Sequence, residues 1–304
     1  MTPPDAVQRA HDQSYERLSD MLATSPVDRF VRFWNLGYRD VEVGRGATAG
    51  ASSTADGSAV PATPGRSARF NADGLRLVGE LCKGVSLAGR RLIDVGCGRG
   101  GASVMARAAG AASVVSLDRS PSAAKFCRRL DLAVVRGDCQ RLPFADKCAD
   151  VVLNLESSQF YERPDEFFAE CARVLDDGGM FLYGDSFPVE LVEPTVNVLR
   201  FAGFVVETRR DVTANVLESR RAVGAAQARA LGGDPFLANF AGAPGGRIFA
   251  DLEENRYSYL LFGLRKGAEP GMSDPTASDI ALVRTFARRS LFATTADFPT
   301  TVSR

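Results

Sequence analysis

Three glycines and a set of acids carry the chemistry this sequence announces. "LIDVGCGRGG" (92–101) is an apolar run, an acid at Asp94, and a turn with Gly96, Gly98 and Gly101 at the GxGxxG spacing. Bare backbone at such a turn lets a nucleotide approach closely, provided a strand precedes it and a helix follows. Asp118 ends the next apolar run, "SVVSLD", where a carboxylate accepts hydrogen bonds from ribose hydroxyls. Asp138 ends "LAVVRGD", and "NLESSQFY" (154–161) offers Asn154, Glu156, Ser157, Gln159 and Tyr161.

Asp94 bears on which nucleotide is meant. A pyrophosphate resting on the glycines would meet that carboxylate close by, which is unfavourable. S-adenosylmethionine (SAM) has no phosphate. Its methionyl ammonium and its sulfur are cationic, and a carboxylate at the strand end favours both. The chain also lacks a Tyr-x-x-x-Lys pattern, which weighs against a nicotinamide oxidoreductase of the short-chain type.

The elements that must position these groups follow a regular alternation. Strands are predicted at 90–96, 113–118, 132–138, 150–156, 179–186, 204–211 and 256–266. Between the early strands the spacing predicts helices over 100–109, from Ser120 onward, and over 164–175, with another at 189–201. Ser120 suits an N-cap with Pro121 at the first helical position. Pro164 starts its helix and "DDGG" is expected to stop it. Strands alternating with helices of about ten residues mean βαβ units and a mostly parallel sheet covered on both faces. The fold class is therefore α/β: a Rossmann-like doubly wound sheet whose last strand is antiparallel.

Around that domain, taken as 69–267, lie three additions. Residues 1–43 read as an N-terminal helical lid, and 44–68, rich in Gly, Ala, Ser, Thr and Pro, as a flexible loop leading to a helix at 71–83. An insertion at 212–255 precedes the last strand and is expected to cap the acceptor pocket. Residues 268–304 form a polar extension with one helix predicted at 276–292.

Composition narrows the partners. The 304 residues hold 37 Lys+Arg and 37 Asp+Glu, so there is no basic excess for nucleic acid. No apolar run reaches the ~18 residues of a membrane span. The N-terminus does not resemble a signal peptide, so a cytoplasmic protein is expected. The six cysteines form no CxxC and read as reduced thiols. With His11 the single histidine, no metal site is expected.

At this point the sequence resembles a known family. "LIDVGCGRGG" is similar to motif I of class I SAM-dependent methyltransferases, "VVSLD" to the ribose-binding strand, and "GDCQRLPFADKCADVVLNLES" to the two motifs after it. The resemblance runs in order over about 70–215. It implies SAM as cofactor and S-adenosylhomocysteine as product, held by Asp94, Gly96, Gly98, Asp118, Arg119, Asp138, Cys139 and Asn154. In it Asp138 would bond the adenine amino group and Cys139 would offer backbone contacts. "FWNLGY" (33–38) with "NLESSQFY" resembles the small-molecule methyltransferases of bacterial secondary metabolism, including those acting on polyketide and long-chain lipid hydroxyls. Many of those have a histidine where this chain has Gln159.

The implied reaction is O-methylation of a hydrophobic small molecule; carbon or nitrogen methylation, or a non-methylating cyclisation on the same scaffold, remain the alternatives. Candidate catalytic residues are Glu156, Gln159 and His11, of which Gln159 can orient an acceptor but cannot act as a base. Glu156 reads equally well as a carboxylate that holds a backbone turn. Trp34, Tyr38 and Tyr161 are the candidate acceptor contacts. A homo-oligomer is compatible with all of this.

Overall fold

The computed structural model describes residues 13, 16, 19, 31, 33, 35–41, 66–230, 235–267 and 277–289. His11 and Trp34 lie outside the described residues, as do most of the expected lid and residues 42–65.

Seven strands form one sheet in the order β3-β2-β1-β4-β5-β7-β6. They are β1 (Arg91–Val95), β2 (Ser113–Asp118), β3 (Ala133–Arg136), β4 (Ala149–Leu155), β5 (Leu175–Pro188), β6 (Phe204–Asp211) and β7 (Tyr257–Lys266). The pairings β1–β2, β1–β4, β2–β3 and β4–β5 are parallel, and β7 runs antiparallel to both β5 and β6. The strand order reverses between β1 and β4, so a crevice opens at the carboxyl ends of those two strands.

Two-residue periodicity divides the core. Ile93 and Val95 point into a cluster with Val152, Phe167, Phe181 and Tyr183. Leu92 points to the other face, with Leu77, Val78, Val151, Leu153 and Leu182. The inner strands are thus covered on both faces, which explains why they read as nearly continuous apolar runs.

The helix expected at 71–83 runs from Arg66 to Leu81, so the loop predicted over 44–68 ends earlier than its composition suggested. "DDGG" does not stand as a separate turn. Leu175 already pairs with Ala149, and the register shifts before Met180 meets Val151, so the four residues form an irregular entry into β5. The insertion before β7 is helical, at Thr213–Ser219, a π-helical stretch Arg220–Gly224, Ala225–Ala230, Pro235–Phe240 and Arg247–Glu253. Its Val216, Ile248, Phe249 and Leu252 pack into the cluster that holds Leu36 and Tyr259.

The predicted helix at 276–292 is two short ones, Ala277–Val283 and Phe286–Arg289. Phe286 stacks on Phe187 with ring centroids 5.3 Å apart, and Arg284 pairs with Asp165 at 2.7 Å. This part of the extension therefore seals the outer face of the sheet. No helix among the described residues is long and apolar enough to cross a membrane.

Candidate active site

The glycine turn is shaped by what surrounds it. Gly96, Gly98 and Gly100 have φ of 70°, 50° and 73°, in the left-handed region that favours glycine. A Cβ on Gly96 would lie 2.2 Å from Ser157 Oγ and 2.8 Å from the Tyr161 hydroxyl. The Gly96 and Cys97 amides both donate to the Leu117 carbonyl, at 2.8 and 3.0 Å, which ties the turn to β2.

Asp118 closes the turn from the other side. Its Oδ2 accepts from the Gly98 amide and its Oδ1 from the Ser120 amide, both at 2.9 Å. Burial pushes its carboxyl above the ordinary aspartate value, and the backbone donors oppose that rise. Ser120 caps helix Pro121–Arg128 by accepting from the Ala123 amide at 3.0 Å. Its hydroxyl also bonds the Glu16 carboxylate. Arg99 donates from Nε to the Val31 carbonyl at 2.8 Å and lies over the Phe126 ring at 3.7 Å. The N-terminal segment thus meets the cofactor turn at two points.

Asp94 is 2% exposed, and burial pushes its carboxyl up to about 6. Its Oδ2 accepts from Ser103 Oγ at 2.5 Å, and Ser103 bonds Ser116 Oγ at 2.7 Å. One oxygen of the acid read as ligand-facing is therefore engaged in fastening β1 to β2 and to helix Gly101–Ala108.

The end of β4 presents a second cluster. Asn154 Nδ2 lies 2.9 Å from the Val95 carbonyl, 2.7 Å from Ser157 Oγ and 3.1 Å from the Tyr161 hydroxyl, three oxygens that share its two hydrogens. Its Oδ1 is buried and has no partner among the described residues. Tyr161, read as an acceptor contact, instead lies beneath Gly96, with its hydroxyl 2.8 Å from Ser157 Oγ and its ring edge-on to Phe167. Asp138 caps the short 139–141 turn by accepting from the Gln140 amide at 2.9 Å, and Cys139 is buried beside it. Arg119 is exposed at the end of β2.

Glu156 stands apart from its neighbours. It has φ of 54°, a conformation costly for a residue with a Cβ and most often kept at functional sites. Its amide donates to the Gly184 carbonyl at 2.8 Å. Its Oε1 accepts from the Leu36 amide at 2.8 Å and from the Tyr259 hydroxyl at 2.6 Å. Oε2 has no hydrogen bond among the described residues. Burial pushes the carboxyl up to about 8, against the Tyr259 and Leu36 bonds; Asp185 raises it further and Arg220 lowers it.

Gln159 is fully buried, with its amide donating to Asp185 Oδ2 at 3.2 Å. Asp185 also accepts from Ser158 Oγ and from the Ser186 amide, and burial pushes it up to about 7. These bonds hold the turn after β4. Tyr38 packs against the cluster of Leu36 and Leu77, its hydroxyl in the field of Glu80, Asp40 and Arg210. The structure therefore brings Asp94, the glycines, Asp118, Asp138, Asn154 and Tyr161 together, places Glu156 at the neighbouring strand end, and leaves Tyr38 on the flank.

A family model described as "Methyltransferase domain" matches residues 93–183. The fatty-acid O-methyltransferase of Mycolicibacterium smegmatis is 34% identical over 212 residues, 66% of this chain and 76% of that protein. The chain belongs to the class I SAM-dependent methyltransferases. A probable phthiotriol/phenolphthiotriol dimycocerosates methyltransferase of Mycobacterium ulcerans is 40% identical over 43% of this methyltransferase and 53% of its own length. Among solved structures, the StiE O-MT segment 942–1257 superposes with a TM-score of 0.57 at 18% identity, covering 76% of this chain and 85% of that one.

The residues of this methyltransferase fit SAM. The turn has no room for a Cβ at Gly96, Asp118 and Asp138 are acids at the ends of β2 and β3, and Asn154 Oδ1 is a buried acceptor without a donor among the described residues. Several site residues escaped the sequence reading: Ser103, Ser116, Glu16, Arg99, Tyr259 and Arg220. Arg99 and Ser116 stand inside the quoted motifs at positions whose partners the motif does not reveal; Glu16, Tyr259 and Arg220 arrive from elements distant in the chain.

Proposed function

We propose that this methyltransferase acts on a hydroxyl oxygen of a hydrophobic small molecule, a lipid or polyketide-like metabolite, in natural-product metabolism of the cytoplasm. The observation that carries the reading is Glu156: one oxygen held by two donors, the other without a bond among the described residues, and an acidity near neutral pH. A general base works best with that acidity close to the operating pH, and typically supplies ~10²–10⁴-fold in rate. The relatives' names, a fatty-acid O-methyltransferase and a phthiotriol/phenolphthiotriol dimycocerosates methyltransferase, support a greasy acceptor.

Bound SAM supplies a methyl group on a cationic sulfur, open to in-line attack. The chain's part is to align, to dry and to deprotonate. Alignment alone contributes up to ~7–11 kcal/mol in favourable cases. Asp94, Gly96, Gly98, Asp118, Arg119, Asp138, Cys139 and Asn154 hold the cofactor; Glu156 takes the hydroxyl proton on its open oxygen. Gln159 and Asp185 keep the β4 turn in place. Glu16 and Val31 of the N-terminal segment reach the cofactor turn, and the 212–255 insertion covers the acceptor.

Calorimetry with S-adenosylhomocysteine checks the cofactor site: Asp118→Ala is expected to weaken binding at least ~10-fold through the loss of two charge-assisted bonds. Labelled SAM with a long-chain alcohol, a long-chain alkyl phenol and oleic acid checks the acceptor. Glu156→Gln should lower kcat by ~10²-fold or more on the alcohol while leaving S-adenosylhomocysteine affinity intact. An unchanged kcat would overturn the assignment of Glu156 as base.

A further inference from the structure

Arg220 is a charged side chain in the wrong place for a solvated one. It begins the π-helical stretch of the insertion and is 2% exposed. Helices of this kind are rare and gather at functional sites. Its Nη1 donates to Gln227 Oε1 at 2.8 Å and to the Ala241 carbonyl at 3.0 Å, its Nη2 to Ser219 Oγ at 2.9 Å, and its Nε has no partner among the described residues. No carboxylate among the described residues lies within ion-pair distance of it. Buried charges are normally paired, so an arginine kept here without a partner in contact calls for a reason.

The surroundings give one. Ser219 Oγ donates onward to Asp73 Oδ2 at 2.8 Å, and Arg39 pairs with the same carboxylate at 3.1 Å. Between this cluster and helix Arg66–Leu81 runs the 35–37 segment. A Cβ on Gly37 would lie 2.7 Å from Ser219 Oγ, 2.9 Å from Arg220 Nη2 and 2.9 Å from Asp73 Cβ; one on Gly242 would lie 2.9 Å from Leu36 Cδ2 and 3.0 Å from Arg220 Cδ. The segment is thus clamped against the guanidinium, and its middle residue, Leu36, sends its amide to Glu156 Oε1 at 2.8 Å.

We propose that Arg220 is a positioning residue for methyl transfer: it braces the Leu36–Gly37 segment that donates to Glu156. The inference rests on the reading of Glu156 as base. The charged and titratable groups acting on Glu156 are Arg220 from the insertion, Asp185 from β5 and Tyr259 from β7, and those acting on the guanidinium include Asp73 and Arg39. Asp185 disfavours the ionised carboxylate; Arg220 favours it. The cap would in this way set the ionisation of the base as well as cover the acceptor.

The test is a carbon NMR titration of the 304-residue chain, labelled at the glutamate carboxyl carbon and saturated with S-adenosylhomocysteine, with Glu156→Gln identifying the resonance. Arg220→Gln is expected to move the Glu156 midpoint upward by roughly one pH unit, and Arg220→Lys, which keeps the charge, to move it much less. A midpoint unmoved in Arg220→Gln overturns the proposal. Should that variant fail to fold, Ser219→Ala cuts the link from Arg220 to Asp73; a raised midpoint with intact S-adenosylhomocysteine affinity supports the proposal, and a wild-type midpoint overturns it. If Glu156→Gln turns over at the full rate, the base assignment fails on its own, while the titration still reports whether Arg220 governs that carboxylate.

Discussion

The burial of Glu156 makes a prediction about stability that needs no substrate. Its carboxyl titrates near 4.5 in an unfolded chain and at about 8 in the fold. A folded value raised above the unfolded one means the native state holds the proton more tightly. The stability this contributes is fully present below about 4.5, declines as pH rises, and is lost above about 8. Roughly three and a half units at ~1.4 kcal/mol each sets an upper figure of ~5 kcal/mol for the whole decline. Glu156→Gln removes the ionisation but keeps an acceptor for the Leu36 amide and the Tyr259 hydroxyl. At pH 5, where the wild-type carboxyl is mostly neutral, the two proteins should melt alike. At pH 9 the variant should be the more stable by several kcal/mol. Asp185 and Asp94 are also raised, to about 7 and about 6, but both proteins carry them, so the difference between the two isolates Glu156. Urea unfolding of both proteins from pH 5 to pH 9, without cofactor, measures that difference. A difference that stays flat across the range would mean the carboxylate is ionised in the fold, and the desolvation argument would be refuted.

Two further substitutions separate cofactor geometry from packing. Gly96→Ala places a methyl 2.2 Å from Ser157 Oγ at a φ of 70°, so the Asn154–Ser157–Tyr161 cluster must shift; S-adenosylhomocysteine affinity by calorimetry should fall at least ~10-fold, and the melting temperature should drop as well. Phe286→Ala empties a site that is 1% exposed against Phe187 and should cost ~3–5 kcal/mol in urea unfolding, while cofactor affinity in the folded protein is retained.

What could be read from the sequence divides along a physical line. The βαβ order, the antiparallel β7 and the acids at the ends of β1, β2 and β3 were legible because each is written in a few adjacent residues: an apolar run, a glycine turn, an N-cap. The same locality explains the errors of detail. "DDGG" reads as a stop because a sequence window does not show that Leu175 has Ala149 to pair with. The helix predicted at 276–292 reads as one because its division, between Ala277–Val283 and Phe286–Arg289, serves the stacking of Phe286 on a strand a hundred residues earlier.

The acceptor side resisted for a stronger reason. Glu156 could be named from its position after β4, but its chemistry is decided by Leu36, Tyr259 and Arg220, which come from the N-terminal segment, the last strand and the insertion. A carboxylate's acidity depends on desolvation and on charges within a few ångströms, and neither follows any spacing along the chain. Cofactor turns repeat because SAM does not change, so local motifs suffice for them. The ionisation of Glu156 depends on residues far away in the chain, and only the folded arrangement brings the Leu36 amide and the Tyr259 hydroxyl onto its carboxylate.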